Sequence, residues 1–364
     1  MTNNYELSLI AQNFVSQRLT LAREMRGLTR AELAGRIEKT PSSVSQYEDG
    51  AIKPDARTLA QLSLAIGIKP TFFSKPFLIK TLSFEGCHFR SLRSTSQRDR
   101  KKIIALGTLE CELVAHLETE FELPVERVSE LSKAVRTDDD IENLATEVRQ
   151  KWQMGLGPIL NMAKLLEAHG IIVSFIPNDC SAVDAFSVWN NSRPMVFLTK
   201  NKKSGSRLKF DSAHELGHLI MHHDVSAGDF ELERQANRFA SAFLLPKDAF
   251  LSECPTRFKL DSYIALKKRW GVSLAALVRR AYDLNRISEP TYRRVNILLN
   301  QYKGMEPEEP TFEPPRIIQT CLNDLSSEHF SSSMGLNESD MKSLIELLAP
   351  SDFNSDAEQM SLGL

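Results

Sequence analysis

Two histidines and a glutamate stand close together in the sequence, at His214, Glu215 and His218. On a helix, residues four apart share one face, so both imidazoles can point at a single metal ion. Glu215 projects beside that ion, where a carboxylate can take a proton from a metal-bound water. Apolar residues around the motif indicate a buried helix, and the spacing predicts a hydrolytic zinc centre with Glu215 as its base.

A zinc centre of this type needs a third protein ligand, which usually comes from a nearby helix. Glu233 follows His218 by fifteen residues, in a segment whose apolar residues recur with helical spacing. Asn237 lies four residues after Glu233, so both can face the site, and Asn237 can hold a ligand histidine through its second ring nitrogen. The sequence therefore predicts a ligand set of His214, His218 and Glu233.

The polar residues nearby leave alternatives open. A helix with exposed histidines would show the same motif without binding metal. His222 continues the spacing of four, but three histidines on one helix rarely close a tetrahedron, so His222 and His223 are interpreted as supporting or solvated residues. Glu231 is interpreted as a solvated charge at a helix start. The residue that stabilises the oxyanion stays unassigned among His222, His223 and Tyr263.

The segments before the histidine motif predict a small sheet. Three β-rich stretches, at 171–176, 185–189 and 194–199, are separated by turn signals. The edge of such a sheet can accept an extended substrate peptide as another strand, but the sequence does not identify the open edge. Farther upstream, a basic run at 88–102 is interpreted as a solvated connector, with a contact along a DNA backbone as the alternative.

Short helical patterns with turn signals between them fill residues 14–75. Thr29 and Glu32 form a capping box, and Thr40 followed by a proline begins another helix. The exposed side of that helix has uncharged serine and glutamine side chains, which suit base edges in the major groove. This pattern predicts a DNA-binding helix-turn-helix, and a helical protein-interaction domain is the alternative.

The motifs around the histidines resemble the ImmA/IrrE metallopeptidases. The resemblance rests on residues 210–218 and 233–240, followed by Leu-Leu-Pro at 244–246, and it covers about residues 150–300. It implies zinc on the two histidines and Glu233, with Glu215 as the catalytic base. Gln235 departs from the family pattern, since many relatives have a second acidic residue there. Because that acidic residue is not the metal ligand in the relatives, the departure does not affect the predicted ligand set.

The N-terminal pattern resembles the Cro-like (XRE) helix-turn-helix, in which the start of the second helix and the third helix meet DNA. The resemblance implies the following DNA contacts: Arg30, Thr40, Ser42, Ser43, Ser45 and Gln46. Arg30 stands at a position where the family often has glutamine. We expect its guanidinium to contact either a guanine base or a DNA phosphate. Because such proteins read paired half-sites, we expect a homodimer on a double-stranded DNA operator.

Length, composition and charge limit the number of domains, the location and the partners that we expect for this chain. The 364 residues allow two or three domains, and the five scattered cysteines argue against a disulfide framework or a cysteine zinc site. No signal peptide and no apolar run of membrane-spanning length is visible, so we expect a cytoplasmic protein without a membrane partner. Residues 1–80 carry eleven basic and seven acidic side chains, whereas 305–364 carry two basic and twelve acidic. The net positive charge of residues 1–80 favours nucleic acid as a partner.

The expected fold class is α+β and mostly helical. An N-terminal five-helix helix-turn-helix domain precedes a zincin-like peptidase domain with a small sheet and the histidine helix, and a helical C-terminal region follows. The expected boundaries are 1–80 for the XRE-type DNA-binding domain, 81–150 for a helical connector, 151–250 for the zincin-like ImmA/IrrE domain, 251–303 for a helical accessory subdomain, and 304–364 for a Pro/Glu linker and acidic helical tail.

These features predict a DNA-binding transcriptional regulator with a zinc-dependent endopeptidase domain. Its expected substrate is a protein, either a repressor or the product of a neighbouring gene, whose site-specific cleavage relieves repression. Two alternatives stay open. The zincin-like domain can act without proteolysis, as a structural or sensing element, or the chain can be the antitoxin or immunity partner of a neighbouring protein.

Overall fold

The computed structural model describes residues 4–83, 88–89, 96–180, 183–199, 204–223, 230–302, 306–324 and 327–350. The chain divides into two compact units. The first contains Met1–Phe84, Arg93–Leu123 and Arg316–Ala349, and the second contains Glu85–Leu92, Pro124–Pro315 and Pro350–Leu364. The helices near the C-terminus thus belong to the same unit as those at the N-terminus. Within the described ranges, no helix is both long and apolar enough to cross a membrane.

Helices dominate both units, as the α+β, mostly helical class predicts. In chain order they are α1 (Asn4–Gln12), α2 (Ser16–Met25), α3 (Arg30–Arg36), α4 (Pro41–Glu48), α5 (Ala56–Ile66), α6 (Gln97–Glu120), α7 (Asp138–Lys151), α8 (Met162–Ala168), α9 (Gly205–Met221), α10 (Phe230–Leu244), α11 (Lys247–Glu253), α12 (Leu260–Trp270), α13 (Leu274–Asp283), α14 (Glu289–Leu299), α15 (Ile317–Asp324), α16 (Ser327–Met334) and α17 (Glu338–Leu348). The strands are β1 (His88–Phe89), β2 (Ile172–Ile176), β3 (Ala185–Asn190) and β4 (Arg193–Thr199).

Local capping signals set the helix starts in the first unit. The predicted capping box is present at α3, where the Thr29 hydroxyl accepts from the Glu32 amide at 3.1 Å and the Glu32 carboxylate accepts from the Thr29 amide at 2.6 Å. Thr40 caps α4, which has a proline in its first turn. Gly67 ends α5 with a φ of 72°, a left-handed conformation that suits glycine.

Two buried ion pairs fasten α2 inside this unit. Arg23 donates to Glu48 of α4 at 2.5 and 3.1 Å, and both side chains are almost fully buried. Arg18 donates to Glu112 of α6, and both are at most 1% exposed. Each guanidinium meets a carboxylate in paired contacts, so the charges are compensated in the core. α2 therefore holds both the short helix α4 and the long helix α6.

The C-terminal helices complete the first unit. Arg26, the residue that follows α2, makes two 2.6 Å contacts with the Asp340 carboxylate near the start of α17. The Asn337 side chain, which caps α17, also donates to the Gly67 carbonyl at 2.7 Å. The sequence pattern predicts two helices in this region, around 316–325 and 338–348, and the structure adds a third helix, α16. These contacts fold the far end of the sequence onto the N-terminal helices.

The second unit contains a four-stranded sheet with the order β1-β3-β4-β2. β3 and β4 form an antiparallel hairpin with Asn190 opposite Arg193, and its turn places Asn191 at a φ of 52°. β2 runs parallel to β4, and β1 runs antiparallel to β3. The basic run at 88–102 therefore contributes a strand at 88–89 and the start of α6, while residues 90–95 lie outside the described residues.

Two predicted helix starts in this unit are wrong. The sequence pattern predicts a helix over 158–169, but α8 begins at Met162, because the Asn161 side chain accepts from the Lys164 amide and caps it. The sequence also predicts a helix from residue 140 that is capped by the aspartates at 138–140. α7 begins at Asp138 instead, and its cap is a capping box in which Thr137 accepts from the Asp140 amide and Asp140 accepts from the Thr137 amide. In both cases side chains that bind free backbone amides decide the boundary.

The Pro/Glu segment after α14 is bound to the second unit. The buried Lys267 ammonium lies 2.7 Å from Glu306 and also contacts Glu309. The Phe312 ring packs edge-on against Phe175 of β2, with the centroids 6.5 Å apart. This segment, expected to be a linker, has side chains in the core of the unit.

Candidate functional site

The helix α9 carries the histidine motif through the core of the second unit. The Ser204 side chain caps it by accepting from the Arg207 amide. His214, Glu215 and His218 are each at most 1% exposed. Burial on this scale removes the competing water, which strengthens every electrostatic contact that the three side chains make.

A close approach of α10 brings the third predicted ligand to the histidines. A Cβ at Gly217 would lie 3.0 Å from the Phe239 ring and 3.4 Å from the Ala236 Cα, so glycine permits the two helices to touch. Glu233 is in the first turn of α10. The small residue inside the histidine motif therefore sets the spacing that the ligand set needs.

The three predicted ligands converge. The Nε2 atoms of His214 and His218 are 3.1 Å apart. Each lies 3.3 Å from a carboxylate oxygen of Glu233. Metal-ligand bonds of zinc arranged as a tetrahedron separate neighbouring donors by roughly 3.3 Å. Among the residues that the structure describes, this is the group that can hold a metal ion, and its chemistry and spacing fit zinc.

The Asn237 side chain orients His214. Its Oδ1 lies 3.2 Å from His214 Nδ1, while its Nδ2 donates to the Glu233 carbonyl at 2.8 Å. The second contact fixes which end of the amide faces the ring, so His214 Nδ1 is the donor. The Nε2 lone pair then faces the other predicted ligands, as a metal ligand requires.

A second chain of hydrogen bonds orients His218. His222 Nδ1 lies 2.9 Å from His218 Nδ1, and His222 Nε2 lies 2.9 Å from the Gln235 carboxamide oxygen. Because that oxygen only accepts, His222 Nε2 donates to it and His222 Nδ1 accepts from His218. Gln235, which departs from the family pattern, thus supports a ligand through His222. The sequence suggested a supporting role for His222 but not this partner for it.

The electrostatics of the group suit a cation. Burial lowers the pKa of His218 to about 4. Burial alone would raise the pKa of Glu233, but its hydrogen bonds with His214 and His218 outweigh burial and hold that pKa far below its usual range. At neutral pH a neutral imidazole therefore faces a carboxylate, which is the protonation state that zinc binding needs.

Glu215 faces the sheet, where a residue that the sequence analysis missed contacts it. The Ser187 hydroxyl of β3 donates to Glu215 Oε2 at 2.7 Å, and both residues are fully buried. A serine among the apolar residues of a buried strand is the signal that was overlooked. Its hydrogen bond fixes the orientation of the carboxylate beside the predicted ligands.

The other polar residues considered from sequence have different surroundings. The Tyr263 hydroxyl lies 3.5 Å from Cys254 Sγ in the core, and burial raises the pKa of this tyrosine. The His223 ring packs against the Trp189 ring, with the two ring centroids 4.9 Å apart. Glu231 is exposed and pairs with Arg234, as expected for a charge at a helix start.

The predicted DNA contacts lie on and beside α4. Ser42 and Gln46 are exposed, Ser43 and Ser45 are half-buried, and Val44 and Tyr47 face the core. Ser45 donates to Asp49 at 3.0 Å, and the Thr40 and Ser43 hydroxyls are 2.9 Å apart. The polar side of α4 thus faces outward, with its hydroxyl groups already oriented by their neighbours.

Arg30, the remaining predicted contact, is held by an acidic side chain. Its Nε donates to Glu48 at 2.6 Å, and this hydrogen bond raises the pKa of the guanidinium. The same carboxylate binds the buried Arg23. Arg30 remains half exposed, so the pairing fixes its position without removing it from the surface.

Comparison with family models agrees with both resemblances. Residues 166–282 match the model described as the IrrE N-terminal-like domain, and residues 19–73 match a helix-turn-helix model. A comparison with curated proteins found no match. The chain therefore joins an XRE-type DNA-binding helix-turn-helix domain to an IrrE/ImmA-like peptidase-family domain. The first match contains α9 and α10, and the second contains α4.

Proposed function

We propose that this chain is a transcriptional regulator whose second unit is a zinc-dependent endopeptidase that cleaves a repressor or another partner protein. The convergence of His214, His218 and Glu233 beside the buried carboxylate of Glu215 carries the proposal. A structural zinc site is usually closed by four protein ligands, whereas a hydrolytic site has three and leaves one position for water. The group has three.

Each side chain has a distinct role in this reaction. His214, His218 and Glu233 would hold zinc, which would polarise the scissile carbonyl and lower the pKa of the attacking water. Glu215 accepts a proton from the attacking water and delivers it to the amine that leaves as the C–N bond breaks. Ser187 keeps the Glu215 carboxylate in place, and Asn237 keeps the His214 ring in the required tautomer.

The first unit supplies the DNA partner of the regulator. The exposed polar side of α4 enters the major groove, where Ser42 and Gln46 reach base edges. Arg30 contacts DNA at the edge of this surface. A homodimer would place two such helices on the paired half-sites of an operator.

Mass spectrometry of cellular proteins tests the proteolytic half of the proposal. Cells with the wild-type chain should contain cleaved protein fragments that are absent in cells with the Glu215→Gln variant, because the variant lacks the base. Glu231→Gln is the matched control, since this exposed residue lies outside the predicted ligand set. Identical fragments in wild-type and Glu215→Gln cells would contradict the endopeptidase and leave a non-proteolytic regulator.

A gel-shift assay with selected operator DNA tests the other half. Gln46→Ala should weaken binding and relax the base preference at one position, by about 1–3 kcal/mol of discrimination. Unchanged binding and preference would remove α4 as the reading helix. Glu215→Gln should bind DNA like the wild type, because the two functions lie in separate units.

A further inference from the structure

The strand β3 connects the sheet to the candidate catalytic base. It packs against α9, and its Ser187 donates to Glu215. One edge of β3 pairs with β4 in the hairpin. Its other edge is therefore the place where an extended peptide can be added as an antiparallel strand beside the candidate site.

That edge of β3 is already paired. His88 lies opposite Ser187 and Phe89 lies opposite Phe186, in antiparallel register. The backbone at His88 is thus level with the residue whose hydroxyl contacts Glu215. Residues 85–92 belong to the second unit, although the chain on either side of them belongs to the first.

We propose that residues 88–89 occupy the backbone position of a peptide substrate, so that the chain inhibits its own peptidase site until a substrate displaces them. This inference rests on the proposed function, since it assigns the occupant of the site where cleavage would occur. It also identifies the class of ligand that the edge accepts, which is an extended peptide bound through its backbone.

The pairing between β1 and β3 is weak enough for a substrate to displace β1. A two-residue strand makes few backbone hydrogen bonds, and each contributes only about 0.5–1.5 kcal/mol net. A tethered strand nevertheless acts at an effective concentration on the order of millimolar, so weak pairing suffices to exclude poor substrates. A longer peptide that also fills side-chain pockets would replace it.

Peptide binding to a chain that lacks the pairing tests this proposal. Replacement of His88 and Phe89 by proline removes both amide donors, so β1 cannot pair through them. His88→Thr with Phe89→Val is the matched control, because it retains both amides and favours a strand. Both changes are made in the Glu215→Gln chain, where the base is absent. The probe is a fluorescein-labelled peptide with the sequence of residues 84–93.

The expected result is that the proline variant binds the probe at least about tenfold more tightly than the control by fluorescence anisotropy, because the edge is vacant. Equal binding by the two variants would overturn the proposal. A second measurement does not depend on the folding of the variant. In the Glu215→Gln chain without other changes, millimolar peptide should raise deuterium uptake at residues 88–89, and unchanged uptake would also overturn it.

Zinc-loaded chains with Glu215 restored separate this proposal from the one on which it rests. Tight binding of the probe by the proline variant, together with no cleavage of cellular proteins by that variant or by the control, would contradict the endopeptidase but retain the strand as the edge's occupant. Equal cleavage of cellular proteins by the proline variant and by the control would retain the endopeptidase and overturn the proposed inhibition. Faster cleavage by the proline variant supports both.

Discussion

The helices α4 and α9 both carry predicted functional residues, but they present them in opposite ways. On α4, the core side chains Val44 and Tyr47 are buried, while Ser42 and Gln46 are exposed. On α9, the functional side chains His214 and His218 are themselves buried in the core. A surface that reads DNA needs only one helix with one polar side, whereas a metal centre needs donors from several elements at fixed separations.

The two helices therefore differ in how the sequence determines the placement of their functional residues. The surface of α4 follows from helical periodicity and from a cap, which are local properties of the sequence. The centre on α9 depends on the contact with α10 at Gly217 and on Ser187 of β3. We therefore expect a change in a distant element to affect the centre strongly and α4 weakly, and the following experiments challenge or refine that expectation.

The largest expected effect challenges the local nature of α4. Glu48→Gln removes the buried negative charge that pairs with the Arg23 guanidinium and leaves Arg23 only the partly buried Glu24 as an acidic partner, which should destabilise the first unit by about 3 kcal/mol. The measurement is hydrogen-exchange protection of α2 and α4 amides in the full chain. Glu32→Gln, which alters the exposed capping box, should cause a much smaller loss. Equal protection in wild type and Glu48→Gln would show that α4 is held by local signals alone.

The next effect concerns the ligands in the core. His218→Ala should lower zinc affinity by more than about 100-fold, because loss of an outer-shell partner already costs roughly 10- to 100-fold. Asn237→Ala provides that smaller reference loss, since Asn237 contacts His214 rather than the ion. Competition with a zinc-binding dye measures both affinities. Comparable affinities for His218→Ala and wild type would remove His218 from the ligand set.

A smaller effect refines the comparison by testing how the C-terminal helices support the first unit. Asp340→Asn weakens the paired contact with Arg26 and should cost about 1 kcal/mol, since the arginine is partly exposed. Hydrogen exchange at α2 and α17 measures the loss. Lys342→Gln, an exposed change on the same helix, should leave exchange unaltered. A similar response to both changes would mean that this ion pair contributes nothing specific.

The last effect, of about the same size, reflects the burial of α9. Lys209 donates to the Trp270 carbonyl at 2.8 Å, and burial lowers its pKa from 10.5 to about 8. Between these values the unfolded chain binds the proton that the folded chain has lost, so stability rises with pH. The gain should be about 1 kcal/mol between pH 8 and pH 9. Relative to the Lys209→Met variant, wild-type stability should therefore increase with pH, and parallel curves would contradict the shift.

Much of the first unit was predictable because its signals are local. The capping box at Thr29 and the start of α4 at Thr40 occur as expected. The predicted starts of α7 and α8 were wrong, because capping side chains decided these boundaries: Thr137 with Asp140 at α7, and Asn161 at α8. The strand at 88–89 was also missed, since two residues form no periodic pattern and depend on a partner strand.

The candidate centre was predictable in part. Histidines four residues apart on one helix indicated a shared ion, and helical spacing placed Asn237 on the same face as Glu233. Ser187 and Gln235 were not identified as supports, since each acts through a residue far away or on another element. Hydrogen bonds of this kind leave no fixed spacing in a sequence.

The sequence by itself determined the residue types, the helical register of the histidines and the polar side of α4, because these follow from side-chain chemistry and helical geometry. The tertiary structure alone decided that α10 approaches Gly217, that β3 places Ser187 against Glu215, and that β1 pairs with the edge of β3. The physical reason is that packing and strand pairing join residues distant along the chain, and these contacts depend on shapes that only the folded chain has.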